Sequence, residues 1–277
     1  METWKYYNHA AIPSVPPYKI PNFLPLENKS IWRIGKKKRV FLARWVTDWD
    51  CDYETNWWYI IKDAQFDISK LKAKRRYEIN KGVKNFEVKE INPYEYKEEL
   101  YAVQIAAFSA YPAKYRPRIK RENFMAEIDK WNQYTILGVF ARVTKELVGY
   151  ALLSKKTSDY VEFNVLKVDP KYEKQGCNAA LVEGVLRYFN DFLLDGGFIS
   201  DGARNINHET GFQDYLEKYF GFRKAYCHLH ITYNPQIKWL IKVLFPLRKI
   251  LRKFDFFSII HQVNAILKME ELIRGKK

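Results

Sequence analysis

The chain has 277 residues, 47% of them apolar and 17% aromatic, which is enough for a sizeable core and excludes a disordered protein. Lys and Arg number 47 against 32 Asp and Glu, a net charge of +15, which points to an anionic partner: nucleic acid, a phosphate-bearing cofactor or an acidic membrane surface. No apolar run reaches the ~18 residues of a membrane span, the first residues lack the continuous apolar stretch expected of a secretory leader, and three scattered cysteines do not read as a disulfide framework. A cytoplasmic protein with free thiols is the expectation.

In chain order, residues 1–28 are rich in Pro, Tyr and Asn without a clear period and read as an extended arm. From Ser30 to Ile61 the alternation in "IWRIGKKKRVFLARWV" and "NWWYIIK" predicts two or three antiparallel strands, punctuated at Gly35-Lys36-Lys37. "DISKLKAKRRYEINKG" predicts a helix with Asp67 or Ser69 as N-cap and Gly82 as its stop. Lys70, Lys74 and Lys81 fall on its solvent face, with Lys72, Arg75 and Arg76 around them. "FEVKEI" at 86–91 is a short strand, and Leu100, Val103, Ala107 and Phe108 give 93–110 a helical period. The loop "YPAKYRPR" leads to a helix near 120–132. Strands follow in "YTILGVFAR", "ELVGYALLS" and "YVEFNVLKV", then a helix at 176–193, the strand "GFISD", a helix at 209–219 and the long strand "RKAYCHLHITY". There is no internal repeat.

The junction "EFNVLKVDPKYEKQGCNAALVEG" turns from strand to helix within a few residues. Unbonded N–H groups at a helix N-terminus, aided by the helix dipole, form an anion site, and a glycine lets the backbone approach a ligand closely. From Phe86 the order is β-α-α-β-β-β-α-β-α-β. This order, with the junction after the fourth strand, resembles the Gcn5-related N-acetyltransferase superfamily over residues 84–234. The resemblance implies an α/β fold with a mixed sheet of the acyl-CoA N-acyltransferase type. Residues 1–83 would add an N-terminal β extension with the basic helix, and 235–277 a C-terminal helical tail.

The same resemblance implies acyl-CoA, acetyl-CoA in its simplest form, as co-substrate and no metal. Leu166, Lys167 and Val168 would pair with the pantetheine arm, and Gln175, Gly176, Cys177, Asn178 and Ala179 would cradle its pyrophosphate. The family's turn reads Q/R-x-x-G-x-G/A; here Glu173 stands first and Asn178 last. In "YLEKYFGFRKAY", Gly221-Phe222 match the family, but Glu217 occupies the place of its catalytic tyrosine. Tyr215 and Tyr219 therefore read as packing residues.

Acyl transfer needs a proton acceptor. Some members of the superfamily hold a glutamate base on the fourth strand, which corresponds to Glu162, and strand alternation sets Asn164 on the same side. A carboxylate within an apolar strand has a raised pKa; a surface glutamate is the alternative. Cys177 at a helix start is a second, nucleophilic candidate. His228 and His230 share a strand face but do not complete a zinc site. Loops at strand ends commonly carry sites. In "SDGARNINHET", Asp201 and Arg204 stand with Asn205, Asn207 and His208 as substrate candidates; in "YPAKYRPR" so do Tyr111, Tyr115, Arg116 and Arg118. Both segments also read as plain surface loops.

"LKAKRRYEINKGVKNFEVKEI" resembles the basic helix of the FemAB-type branch, through Arg75 or Arg76, Ile79, Lys81, Gly82-Val83 and Val88. That branch implies an aminoacyl-tRNA donor and a cell-wall, polysaccharide or lipid acceptor, although its members usually carry two tandem units. In 237–268, six Lys or Arg precede the lone Asp255 among large apolar residues, a pattern suited either to packing on a core or to lying on an anionic membrane surface. The readings left open are an acyltransferase using acyl-CoA, a tRNA-dependent transferase, and a non-catalytic module associated with membrane or nucleic acid.

Overall fold

The computed structural model describes residues 3–36, 38–111, 116–206 and 211–275. In chain order the first elements are β1 (Trp4–Tyr7), β2 (Ala10–Pro13), α1 (Leu24–Glu27), β3 (Leu42–Cys51), β4 (Trp57–Lys62), α2 (Ala73–Asn85), β5 (Phe86–Glu90), α3 (Lys97–Ser109) and α4 (Arg121–Ile128). Then come β6 (Thr135–Ala141), β7 (Leu147–Lys155), β8 (Tyr160–Val168), α5 (Cys177–Tyr188), α6 (Asn190–Leu194), β9 (Phe198–Ala203), α7 (Phe212–Phe220) and β10 (Arg223–Tyr233). Helices α8 (Pro235–Leu244), α9 (Arg248–Leu251) and α10 (Ser258–Arg274) follow. The chain forms two compact units, one of residues 1–60, 203–211 and 224–277, the other of 61–202 and 212–223.

In the first unit the strand order is β1-β2-β3-β10-β4, with β1/β2 and β3/β10 antiparallel and β2/β3 parallel. The expected extended arm is instead a hairpin, because Asn8 and His9 take φ of 44° and 64° and close a tight turn. Trp4 seals it, buried beside Ala11, Ile31, Val40 and Ala43, with its indole N–H on the Asn22 carbonyl at 2.7 Å. Ser30–Arg33 forms a 3-10 turn rather than a strand. The strands β3 and β4 expected from alternation are present, but they are not paired with each other, because β10 lies between them. Helix α10 docks through Leu267 and Met269, the latter clustered with Ala10 and Leu42. Arg248 and Arg252 both bind Glu271, tying α9 and the turn after it to α10.

The second unit has the order β9-β8-β7-β6-β5, with β5 to β8 antiparallel and β8/β9 parallel. Strands β6 and β7 are buried along almost their whole length, so both faces must be covered. One cover is α3 with α4, whose Leu100, Val103, Phe124 and Ile128 join Ile136, Phe140, Tyr150 and Leu152. The other is α5, which packs on β5, β6 and β7 through residues such as Leu181 and Val185, both fully buried. Each such side chain contributes roughly 1.5–3 kcal/mol of transfer free energy. The architecture is mixed α/β, as expected, with an N-terminal β extension and C-terminal helices.

Asp67, expected to cap the basic helix, caps instead a 3-10 turn at Ile68–Lys70, its carboxylate accepting from the Ser69 N–H at 2.9 Å, and α2 begins at Ala73 without a side-chain cap. Gly82, however, does not stop the helix: α2 continues to Asn85. The glycine is there because α2 crosses the turn before α5 with backbone against backbone. A Cβ on Gly82 would stand 2.4 Å from the Gly176 carbonyl oxygen, and one on Gly176 would stand 2.9 Å from the Gly82 Cα. Gly176 also sits at φ +91°, where side chains are strained.

Replacing Gly82 with Ala should therefore destabilise the protein even though alanine is the better helix former by about 1 kcal/mol. Overpacking against an unyielding backbone costs about 1–3 kcal/mol, so the melting temperature should fall by several degrees. Thermal melts followed by circular dichroism check this; a variant as stable as the parent would mean that the two backbones do not touch.

Candidate active site

Strand β8 stays paired with β7 from Val161↔Lys155 to Val168↔Gly149. On its other side it is paired with β9 only at Tyr160↔Phe198, Val161↔Ile199 and Glu162↔Ser200. Beyond Glu162 the two parallel strands part, and the β8 edge from Phe163 to Val168 has no strand partner there among the described residues. An unpaired edge of this kind can receive an extended ligand through main-chain hydrogen bonds. The register with β7 jumps between Leu152↔Val165 and Leu153↔Phe163, which leaves Asn164 as an extra, exposed residue. Such a bulge breaks period-two alternation: pairing with Leu152 and Ser154 puts Val165 on the Glu162 face, and alternation alone does not set the face of Asn164.

At the fork, Ser154, Glu162 and Ser200 stand directly across from one another on β7, β8 and β9. Directly paired residues share a face, so the three form one polar row. Glu162 is half-buried and ion-paired to Lys156 at 2.9 Å. Ser154 is buried and its hydroxyl has no hydrogen-bond partner among the described residues, a cost that native structures rarely carry without reason. The Ser200 hydroxyl accepts the Gly202 N–H at 2.9 Å.

Asp201 follows Ser200 on β9, and its carboxyl is pushed up to about 7. Burial is the main cause, a hydrogen bond with Gln213 of α7 opposes it, and the charge of Glu162 adds to it. An acid poised near neutrality is the kind of group that moves protons in catalysis. This raised carboxyl stands on β9 one residue past Ser200, the partner of Glu162. Sequence reading took Asp201 only as a substrate contact, and it missed Ser154, Lys156 and Gln213; a lone polar residue closing an apolar run, as in "ALLS", was the available signal.

At the open end of β8, Leu166 and Lys167 are half-buried and Val168 is buried. Lys167 reaches α3, its ammonium 4.6 Å from the Phe108 ring centroid and 3.3 Å from the Tyr111 hydroxyl. Arg116 donates to the carbonyls of Ser109 and Tyr111 at 2.6 and 3.2 Å, which fixes the end of that helix. Three residues named separately from the sequence therefore meet: Tyr111, Arg116 and Lys167. Tyr115, Asn207 and His208 lie outside the described residues.

The turn before α5 has mixed credentials as an anion site. No side chain caps α5, so the amides of Cys177, Asn178 and Ala179 have no acceptor within the helix. The Gly176 N–H, by contrast, donates to the Glu173 carbonyl, and the space a side chain would fill holds α2 instead. Lys81 and the Asn85 amide donate to the carbonyls of Lys174 and Gln175 at 2.8 and 3.0 Å. Cys177 is fully buried, its thiol pushed up to about 12 by burial and by Asp169 and Glu173. That removes it as a nucleophile near neutral pH.

Tyr215 stacks among Phe212, Tyr219 and Phe220, and burial raises its hydroxyl pKa, as befits a packing residue. In the first unit, Arg204 donates to the Asn56 carbonyl at 2.9 Å. There too His228 contacts the Tyr53 hydroxyl and His230 the Thr47 hydroxyl, each at 2.8 Å. No cluster of three or more His, Cys, Asp or Glu suited to a metal occurs among the described residues.

No family model matches the chain, and neither does any curated protein. Solved structures do. The C-terminal domain of a proposed lysylphosphatidylglycerol synthetase from Agrobacterium fabrum superposes with a TM-score of 0.52 at 10% identity, over 87% of this chain and 84% of that one. L-PGS from Bacillus licheniformis gives 0.50 at 12% identity, over 87% and 83%. A Bacteroides thetaiotaomicron protein of unknown function gives 0.51 at 12%, over 80% and 78%. At these identities the likeness is one of fold.

Asp201 makes the pH dependence of stability predictable. In the unfolded chain it releases its proton near 3.8, in the folded protein near 7. The folded state therefore holds the extra proton between those values, and the stability linked to it is full below pH 4 and lost as pH rises through 7. Asp201→Asn should melt higher than the parent at pH 8, with the gap closing toward pH 4. Paired melts across this range test it; a variant less stable at pH 8 would show that the carboxylate is not held against its charge.

Proposed function

We propose that the chain is a transferase moving an acyl or aminoacyl group from a phosphate-bearing activated ester to an amine or hydroxyl. One observation carries this reading: the parting of β8 from β9 beyond Glu162, beside a carboxyl poised near pH 7 at Asp201. The open β8 edge would hold the donor's extended arm. The acceptor nitrogen or oxygen attacks the ester carbonyl, its proton passes to Asp201, and the leaving thiolate or ribose oxygen takes a proton as the ester bond breaks. Glu162 is the second candidate base, but its bridge to Lys156 must open first. The unpartnered Ser154 hydroxyl would find its bond in bound substrate.

Two donors share the required chemistry. Acyl-CoA, held by the amides of Cys177, Asn178 and Ala179, is supported by the uncapped start of α5. It is opposed by Glu173 in the turn and by α2 across Gly176. An aminoacyl-tRNA, in the FemAB manner, is favoured by the exposed Lys72, Lys74, Arg76, Lys81 and Lys84 of the α2 segment. It is also favoured by the fold shared with the Agrobacterium protein, whose name describes a lysyl ester of a phospholipid. The same comparison supports an acceptor in the lipid or envelope class.

Transfer from radiolabelled acyl-CoA and from charged tRNA should be measured side by side. Asp201→Asn should lower the rate by about 10²–10⁴-fold with donor binding kept. The parent's rate should fall tenfold per unit as pH drops below about 7, since the base must be ionised. Should tRNA be the donor, its binding weakens steeply with salt. Failure of both donors to bind defeats the proposal and leaves a non-catalytic module, whereas an Asp201→Asn enzyme with full activity removes Asp201 as the base.

A further inference from the structure

We propose that residues 235–259 form a docking surface for an anionic lipid bilayer. The inference stands on the first unit alone and is independent of the transferase reading.

This segment exposes large apolar side chains that a core would bury. Trp239 is 69% exposed, Phe256 65% and Ile259 77%, with Val243, Ile250 and Phe257 also in solvent. Monomeric soluble proteins seldom leave so many together uncovered. On α8 the division is angular. Ile241 is buried, whereas Trp239 and Val243 form one exposed row and Lys238 and Lys242 the row beside it. Aromatic groups next to lysines are suited to the boundary between headgroups and acyl chains.

Charge selects the occupant. From Pro235 to Phe254 there is no acidic residue. Arg248 and Arg252 are consumed internally by Glu271. Lys238, Lys242, Lys249 and Lys253 are exposed and make no ion pair among the described residues. Lysines positioned at an anionic surface each strengthen attachment about fivefold. A nucleic acid would use the lysines but not the exposed Trp239 and Phe256, whereas a bilayer uses both. No helix among the described residues is long and apolar enough to cross a membrane, so the segment would lie on the surface.

The test is flotation of the intact protein with phosphatidylcholine vesicles, with and without about a third phosphatidylglycerol. Binding should require phosphatidylglycerol and weaken as salt is raised. Lys238→Glu, Lys242→Glu, Lys249→Glu and Lys253→Glu combined should abolish it, while the four Lys→Arg changes retain it. Trp239→Ser, Phe256→Ser and Phe257→Ser combined should weaken it about tenfold or more. Circular dichroism confirms folding, and a Lys→Gln set replaces any variant that fails it. No binding to anionic vesicles, equal binding to neutral ones, retention by RNA alone, or a concentration-dependent dimer with no vesicle binding would each overturn the proposal.

Discussion

The second unit is organised around a contact without side chains: the backbone of α2 resting on the turn that launches α5. Because neither Gly82 nor Gly176 has a Cβ, the helix and turn meet at a separation no other residue pair permits. Lys81 and Asn85 then reach the turn's carbonyls. Helix α5 is the cover for one face of β5, β6 and β7, so its starting point sets that half of the core. It also sets where the uncapped amides of Cys177, Asn178 and Ala179 stand relative to β8. A glycine read as a device for approaching a ligand is, in this chain, first a device for packing.

That distinction separates what was legible in the sequence from what was not. The apolar runs of β6, β7 and β8 and the abrupt start of α5 are local signals, and the structure has each of them. Gly82 misled because a glycine near a helix end reads as a stop, and only a tertiary neighbour explains one inside the helix. The β1–β2 hairpin was missed because Asn8-His9 lacks the glycine that usually marks such a turn. The bulge at Asn164 is set by pairing with β7, so it has no signal in the strand's own alternation.

The candidate site was partly readable for the same reason. Lys167, Tyr111 and Arg116 carry ordinary sequence cues as loop and strand-end cations and aromatics, and they meet in space. Asp201 owes its raised pKa to burial and to Glu162 on another strand, neither of which is visible locally. Ser154 gains meaning only from the register that sets it across from Glu162. A buried hydroxyl without a partner and a carboxyl held near neutrality both cost stability, and the second unit concentrates these costs at the point where β8 and β9 separate.

The position of β10 has an effect on biogenesis. Strands β3 and β4 are made early, but the strand that joins them, Arg223–Tyr233, emerges only after the whole second unit has left the ribosome. Until then both carry edges with unmet amides and carbonyls, open to wrong partners. The second unit, which re-enters only through 212–223, can gain most of its contacts earlier. Nascent chains of this protein are thus most prone to aggregation through β3 and β4, and a chaperone holding residues 42–62 would serve it best during that interval.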